Sequence, residues 1–349
     1  MTILLSNHIS MRLIESLKRL LATPKNMVIT VHQRPDADAL GTSLGLAAFL
    51  KKYHHQVHII TPTAYPNYLN WLPGIAEIIV YKEERQEEAH ALVNNAHIIF
   101  CIDFPVLTRL NDMAPIVSSA SATKVVIDHH TVGNTPEFGD LVFRDERASA
   151  TAELMYTIIK KMGAVAQIDR EIATCLYVGI VTDTGSFKYA NTTAETHITA
   201  GALVHYGINV NTISDKLYAS TPKYKLKFLG FALSNRLVVR ETYRAAYFYI
   251  TAQDYAAYDL QAGDTEDLVN HALSIKGIVL AATIKEKPDG IRISLRSSGN
   301  IPVNKWAEEY FSGGGHKNAA GGRTNLTLKA TIAMFEGLMR LKHEWLVGS

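Results

Sequence analysis

Residues 27–53 read MVITVHQRPDADALGTSLGLAAFLKKY. Residues 27–32 predict a buried strand: the run is short, apolar and rich in β-branched side chains. Residues 39–53 predict a helix. Asp36 and Asp38 fall in the loop between them. The alternation continues outward. Residues 57–61 (VHIIT), 97–102 (HIIFCI) and 124–127 (KVVI) predict further strands, and helical patterns cover 150–162, 170–181 and 194–206. Alternating strands and helices predict an α/β fold with a parallel sheet covered on both faces.

The character changes after about residue 210. Residues 211–236 are more polar, read as helical, and serve as a connector. Beyond them, β-like runs at 243–250, 277–284 and 290–295 are interleaved with helical patterns, and SGGGHKNAAGG at 312–322 predicts a glycine-rich turn. The expected division is therefore a catalytic domain at 1–210, a connector at 211–236 and a smaller α+β domain at 237–349, with a cleft between the domains. A length of 349 residues suits two domains. Hydrophobic residues at 47% against 19% charged allow sizeable cores. A net charge of +2 provides no broad basic coat, so a nucleic-acid partner should be short and held locally.

The two cysteines, Cys101 and Cys175, cannot build a disulfide framework or a thiolate zinc site. The start, MTILLSNHIS, lacks the charged-then-apolar order of a secretion signal. Together these point to a reducing cytoplasm. No apolar run approaches the roughly 18 residues needed to span a bilayer.

Three predicted strands end in groups that bind metals. The first ends at His32 and leads to Asp36 and Asp38, the second ends at Asp103, and the third ends in Asp128-His129-His130. A fourth group, GIVTDTG, places Asp183 just past a helix. Ligands of open α/β sheets collect beyond the carboxyl ends of the strands, so these groups converge on one edge. Imidazole and carboxylate without thiolate suit manganese or another octahedral divalent ion better than structural zinc. Asp36, Asp38, Asp103 and Asp183 bring four negative charges, which two divalent cations neutralise. Taken singly, each piece has an ordinary reading. Asp36 and Asp38 can be helix N-caps, Asp103 a loop residue, and Asp128 to His130 a polar strand end. Their recurrence after apolar strands carries the argument.

In this order the motifs resemble the DHH phosphoesterase superfamily over nearly the whole chain. The first motif runs His32-Gln33-Arg34-Pro35-Asp36-Ala37-Asp38-Ala39-Leu40-Gly41-Thr42, with Ala37 and Thr42 where glycine and serine are usual. Asp103, the Asp128-His129-His130 triplet and Asp183 in TDTGSF follow. The second domain resembles the DHH-associated domain through Arg296-Ser297-Ser298, Gly313-Gly314-Gly315-His316 and Ala319-Ala320-Gly321. The pairing is similar to the branch that degrades very short RNA (nanoRNA) and 3′-phosphoadenosine 5′-phosphate.

That resemblance implies two manganese ions, with magnesium or cobalt as substitutes. One would be held by His32, Asp36 and Asp103, the other by Asp38, Asp103, His129 and Asp183. His130 would face the substrate phosphate, and Asp128 would orient a ligand. Two such ions about 3.5–4 Å apart clamp the attacking and leaving oxygens of a phosphoryl displacement. Arg296, Ser297, Ser298, Gly313, Gly314, Gly315 and His316 would fix the rest of the substrate through backbone N–H groups and the guanidinium fork. Arg109 either reaches a substrate phosphate or makes a surface salt bridge.

The expected partners are short oligonucleotides and mononucleotide bisphosphates, with no long strand and no membrane; a homodimer is compatible. Related sites imply competing readings: a soluble cyclic-dinucleotide phosphodiesterase, an exopolyphosphatase, or a non-catalytic nucleotide- or RNA-binding module. Cys101 and Cys175 read as core. Ser149-Ala150-Thr151 reads as a cap that starts a helix, and its match to the family pattern also fits packing near the site.

Overall fold

Six strands, β1 (Asn26–Val31), β2 (Gln56–Thr61), β3 (Ile79–Val80), β4 (Ile98–Ile102), β5 (Thr123–Asp128) and β6 (Leu141–Arg144), form one sheet in the order β3-β2-β1-β4-β5-β6. Every pairing in it is parallel. Along β1, Met27, Ile29 and Val31 face one apolar layer while Val28 faces the other. Ile98, Phe100 and Ile102 of β4 alternate in the same way with Ile99 and Cys101. Burial on both faces explains why these strands read as continuous apolar runs rather than as alternating ones.

This computed structural model describes residues 9–132, 138–218, 221–261 and 263–347. The opening residues, on which the expected lack of a secretion signal rests, fall mostly outside them. The chain divides into two compact units, Met1–Ser220 and Thr221–Ser349.

In the first unit, α1 (Met11–Leu20), α2 (Ala37–Lys51), α5 (Thr151–Lys161), α6 (Arg170–Asp183), α7 (Ala194–Val204) and α8 (Val210–Tyr218) contribute to the layer on one side, while α3 (Gln86–Asn94) and α4 (Ala114–Ser119) cover the other. Helix α2 is buried almost all round because it crosses α6 at two glycines. A Cβ on Gly41 would lie 2.4 Å from the Cys175 carbonyl oxygen, and one on Gly179 would lie 2.5 Å from Asp38 Oδ1. The strand order reverses between β1 and β4, and the carboxyl ends flanking such a switch point are where a doubly wound sheet binds ligands.

The second unit begins with α9 (Lys223–Asn235), whose Phe228 and Ala232 enter its core. Its sheet contains β7 (Leu237–Arg240), β8 (Ala245–Ile250), β9 (Leu280–Lys287), β10 (Gly290–Ser297), β11 (Gly314–His316) and β12 (Ala319–Thr324), in the order β11-β12-β10-β9-β8-β7. Only β8 and β9 pair in parallel. Helices α10 (Ala252–Ala257), α11 (Leu268–Leu273), α12 (Val303–Tyr310), α13 (Leu328–Leu341) and α14 (His343–Val347) complete it. The glycine-rich segment predicted as a turn is a hairpin, with Gly315 opposite Ala320. Glycine depresses strand propensity, which hid the two strands. The strand predicted from residue 277 starts at Leu280, because Gly277 takes φ +86° in the turn before it. Among the described residues, no helix is long and apolar enough to cross a membrane.

Candidate metal centre

The predicted acids and histidines meet at the carboxyl ends of β1, β4 and β5. Asp36 is the N-cap of α2, and its Oδ1 accepts hydrogen bonds from the Asp38 and Ala39 N–H groups, each at 3.0 Å. Its Oδ2 lies 3.8 Å from His32 Nε2. The two readings of Asp36 thus apply to different oxygens. Asp103 follows β4 with φ +67°, a left-handed conformation that aspartate tolerates better than most residues. Its Oδ2 is 3.6 Å from His32 Nε2, while its Oδ1 is 3.7 Å from His129 Nε2 and 3.6 Å from His130 Nδ1. Asp183, the last residue of α6, brings Oδ2 to 3.4 Å from His129 Nε2. Three groups have donor atoms within 4.8 Å of one another: His32, Asp36 and Asp103; Asp38, His129 and Asp183; and Asp103, His129 and His130.

The imidazoles are oriented by their second nitrogens. His32 Nδ1–H donates to the Gln33 carbonyl at 2.8 Å, and His129 Nδ1–H donates to the Ala148 carbonyl at 3.1 Å. Both Nε2 atoms therefore face the acids, the arrangement that suits a metal-ligating histidine once Nε2 gives up its proton. Asp128 stands apart from the three groups. Its Oδ1 accepts from the His130 N–H at 3.2 Å and from His130 Nδ1–H at 2.9 Å, and its Oδ2 accepts from Arg144 Nε at 3.3 Å.

The electrostatics fit divalent cations. Desolvation, with the charges of Asp103 and Asp183, pushes the Asp38 carboxyl well above its ordinary value. Desolvation, with Asp103 and Asp36, pushes Asp183 up to about 7 against the pull of His129 and His130. Burial opposes ionisation of Asp103, but His32, His130 and His129 outweigh it and hold its pKa at about 2. Burial likewise opposes charging of His129, yet Asp103, Asp38 and Asp183 raise it to about 9. Without a cation the site retains protons that a dication would displace. Cys101 lies in the apolar layer beneath α3 and α4, its thiol pushed up to about 12 by burial. That leaves a nitrogen and oxygen donor set suited to manganese or magnesium.

Several supporting contacts join residues far apart in the sequence. Thr151 N–H and Ala152 N–H donate to Asp38 at 2.7 and 3.0 Å, so Asp38 satisfies the N-terminus of α5 from 113 residues away. The helix starts where Ser149-Ala150-Thr151 predicts it, but the N-cap, Ala150, makes no side-chain bond, and Asp38 takes that part. Thr151 Oγ1 donates to Asp103 Oδ1 at 2.7 Å. Contacts across such separations have no signature in local spacing.

The second unit arranges its predicted residues as follows. Arg296 and His316 are both register partners of Ala319, so the three share a row and a face, with the small residue between the two larger ones. Ser297 Oγ donates to the Ile301 carbonyl at 2.7 Å and accepts from Asn318 Nδ2 at 2.9 Å, and the Ser298 N–H donates to the Val279 carbonyl at 2.9 Å. A Cβ on Gly313 would lie 2.0 Å from the Gly321 carbonyl oxygen, and Gly315 takes φ +144°, so hairpin packing requires both. Gly314 has open space at its Cα. Arg109, in the first unit, is exposed, and its carbonyl accepts from the Gln33 N–H at 2.7 Å, joining its loop to the one after His32.

Comparison with known proteins accords with this geometry. A bifunctional oligoribonuclease and PAP phosphatase, NrnA, from Thermus thermophilus is 29% identical over 314 residues, covering 89% of this chain and 87% of the relative. Its namesake from Bacillus subtilis is 30% identical over 298 residues, covering 84% and 88%. The crystal structure of an exopolyphosphatase-related protein from Bacteroides fragilis superposes with a TM-score of 0.94 at 34% identity, covering 98% of this chain and 99% of that one. Residues 26–180, which carry β1 to α6 and most of the acid and histidine groups, match the DHH family N-terminal domain, and residues 244–339 match the DHHA1 domain, so the chain belongs to the DHH family and carries a DHHA1 domain.

Proposed function

We propose that this chain is a two-cation phosphoesterase acting on short oligoribonucleotides and on 3′-phosphoadenosine 5′-phosphate in the cytoplasm. The observation that carries the reading is the position of Asp103, with one oxygen toward His32 and the other toward His129. His32, Asp36 and Asp103 would hold one cation, and Asp38, Asp103, His129 and Asp183 would hold the other. The donor set favours manganese. Cations held there would supply charge neutralisation at the phosphate and a more acidic attacking water. Asp128 holds His130 through Nδ1. His130 addresses the phosphate through its other ring nitrogen, stabilises charge on the phosphate oxygens and delivers a proton to the leaving oxygen.

Residues 1–210 carry the chemistry in this reading, and residues 237–349 bind the remainder of the substrate. There Arg296 and His316 stand on either side of Ala319, with the backbone of Gly313 to Gly315 and, at the end of β10, Ser297 and Ser298. Arg109 contributes a guanidinium to phosphate binding. The curated relatives named as oligoribonuclease and PAP phosphatase support this substrate class.

The test is a substrate panel with manganese: 3′-phosphoadenosine 5′-phosphate, di- to pentanucleotides, a long single strand, a cyclic dinucleotide and polyphosphate. We expect turnover of the first two classes and slower attack on the long strand. Asp103→Ala should abolish turnover while the protein still folds. Equal or faster degradation of the long strand, or activity retained in D103A, would refute the proposal. Arg296→Ala should raise KM more than it lowers kcat.

A further inference from the structure

We infer that Thr151 is the positioning residue that divides Asp103 between the two cation positions. The inference rests on the two-cation reading above. Thr151 is fully buried and contacts two of the acids at once. Its N–H donates to Asp38 Oδ2 at 2.7 Å, and its hydroxyl donates to Asp103 Oδ1 at 2.7 Å. A carboxylate oxygen has two lone-pair directions. The Thr151 hydroxyl takes one of those on Oδ1, leaving one for a cation on the His129 side. Oδ2 faces His32. Asp103 is thereby kept from closing both oxygens on a single ion, and each oxygen serves one position.

The turn that carries Thr151 is itself braced. Glu153, a buried carboxylate with no catalytic role here, accepts through Oε2 from the Ser149 N–H at 3.1 Å, the Ser149 hydroxyl at 2.5 Å and the Thr196 hydroxyl at 2.9 Å. Asn191 Nδ2 donates to the Ser149 carbonyl at 2.9 Å and to the Asp183 carbonyl at 3.2 Å. The carbonyl of Ala148 orients His129. Residues 148–152 therefore touch Asp38, Asp103 and His129 directly, and reach Asp183 through Asn191. Partners of this kind commonly set metal affinity.

The experiment titrates metal-free protein with manganese alone by calorimetry. Wild type should bind two ions. Thr151→Val keeps the branched shape and loses the hydroxyl; it should weaken one of the two sites about ten- to a hundred-fold. Thr151→Ser keeps the hydroxyl and should bind as wild type does. Thr151→Ala also lacks the hydroxyl and should behave like T151V, whether or not valine fits the pocket. Two sites of wild-type affinity in T151V or T151A would overturn the assignment. Fewer than two ions on wild type would instead sink the two-cation reading, and this inference with it.

Discussion

In the metal-free site burial pushes the Asp183 carboxyl up to about 7, and against its burial the surrounding acids raise His129 to about 9. A cation needs the first ionised and the second neutral. Binding must therefore expel protons from these groups at neutral pH. Affinity for manganese should rise with pH between 6 and 9. Titrations in two buffers of different ionisation enthalpy will count the protons, and Asp183→Asn should remove one of the sources. Binding without proton release would show that these groups are not ligands. The ligand candidates themselves were legible, because each follows an apolar strand or ends a helix: His32 after β1, Asp103 after β4, His129 after β5. Glu153 and Asn191 were not, and Thr151 only as part of a segment packed near the site. Their roles depend on partners that only folding brings near, and in isolation each is an ordinary helix-start, helix or loop residue.

Helices α2 and α6 make contact through Gly41 and Gly179, and this crossing places Asp38 at the site. Gly41→Ala would push a methyl group into the Cys175 carbonyl, so the helices must separate. Overpacking of this kind costs about 1–3 kcal/mol, to be read from the urea midpoint. Gly179→Ala meets Asp38 Oδ1 and the Ala152 methyl group instead. It should lose manganese affinity as well as stability, whereas Gly41→Ala should lose mainly stability. Equal loss of affinity in both would mean that the crossing does not position Asp38 specifically. At this scale four of the parallel strands, β1, β2, β4 and β5, declared themselves by apolar content with boundaries shifted by a residue or so, whereas the short strands β3 and β6 did not. The β11–β12 hairpin did not declare itself. Its glycines suppress the strand pattern and are there because backbone packs on backbone: a side chain at Gly313 would collide with Gly321. Only the register shows that Arg296 and His316 share a row with Ala319.

Each compact unit has its own apolar clusters, and none of those clusters draws residues from both. All the cation candidates lie in Met1–Ser220. Calorimetry should therefore resolve two unfolding transitions, of which manganese raises only the one belonging to the first unit. An ion at a hundred times its dissociation constant adds about 2.7 kcal/mol. For a unit of this size that is a shift of about 5–10 °C. The pH dependence has a definite sign. Asp183 has its folded pKa raised to about 7 from 3.8, so the metal-free fold prefers the protonated carboxyl and is progressively destabilised as pH rises from about 4 through about 7. His129 is raised from 6.5 to about 9, so the stability it contributes is present below 6.5 and is lost as pH rises through about 9. Both effects weaken the metal-free unit on the alkaline side, where cation binding strengthens. The gap between the chelated and the manganese-loaded transition should consequently widen from pH 6 to pH 9, while the second unit's transition shows no manganese dependence. A gap that narrows over that range would show that the buried acids and His129 do not surrender their protons to a cation, and the site would have to work by other means.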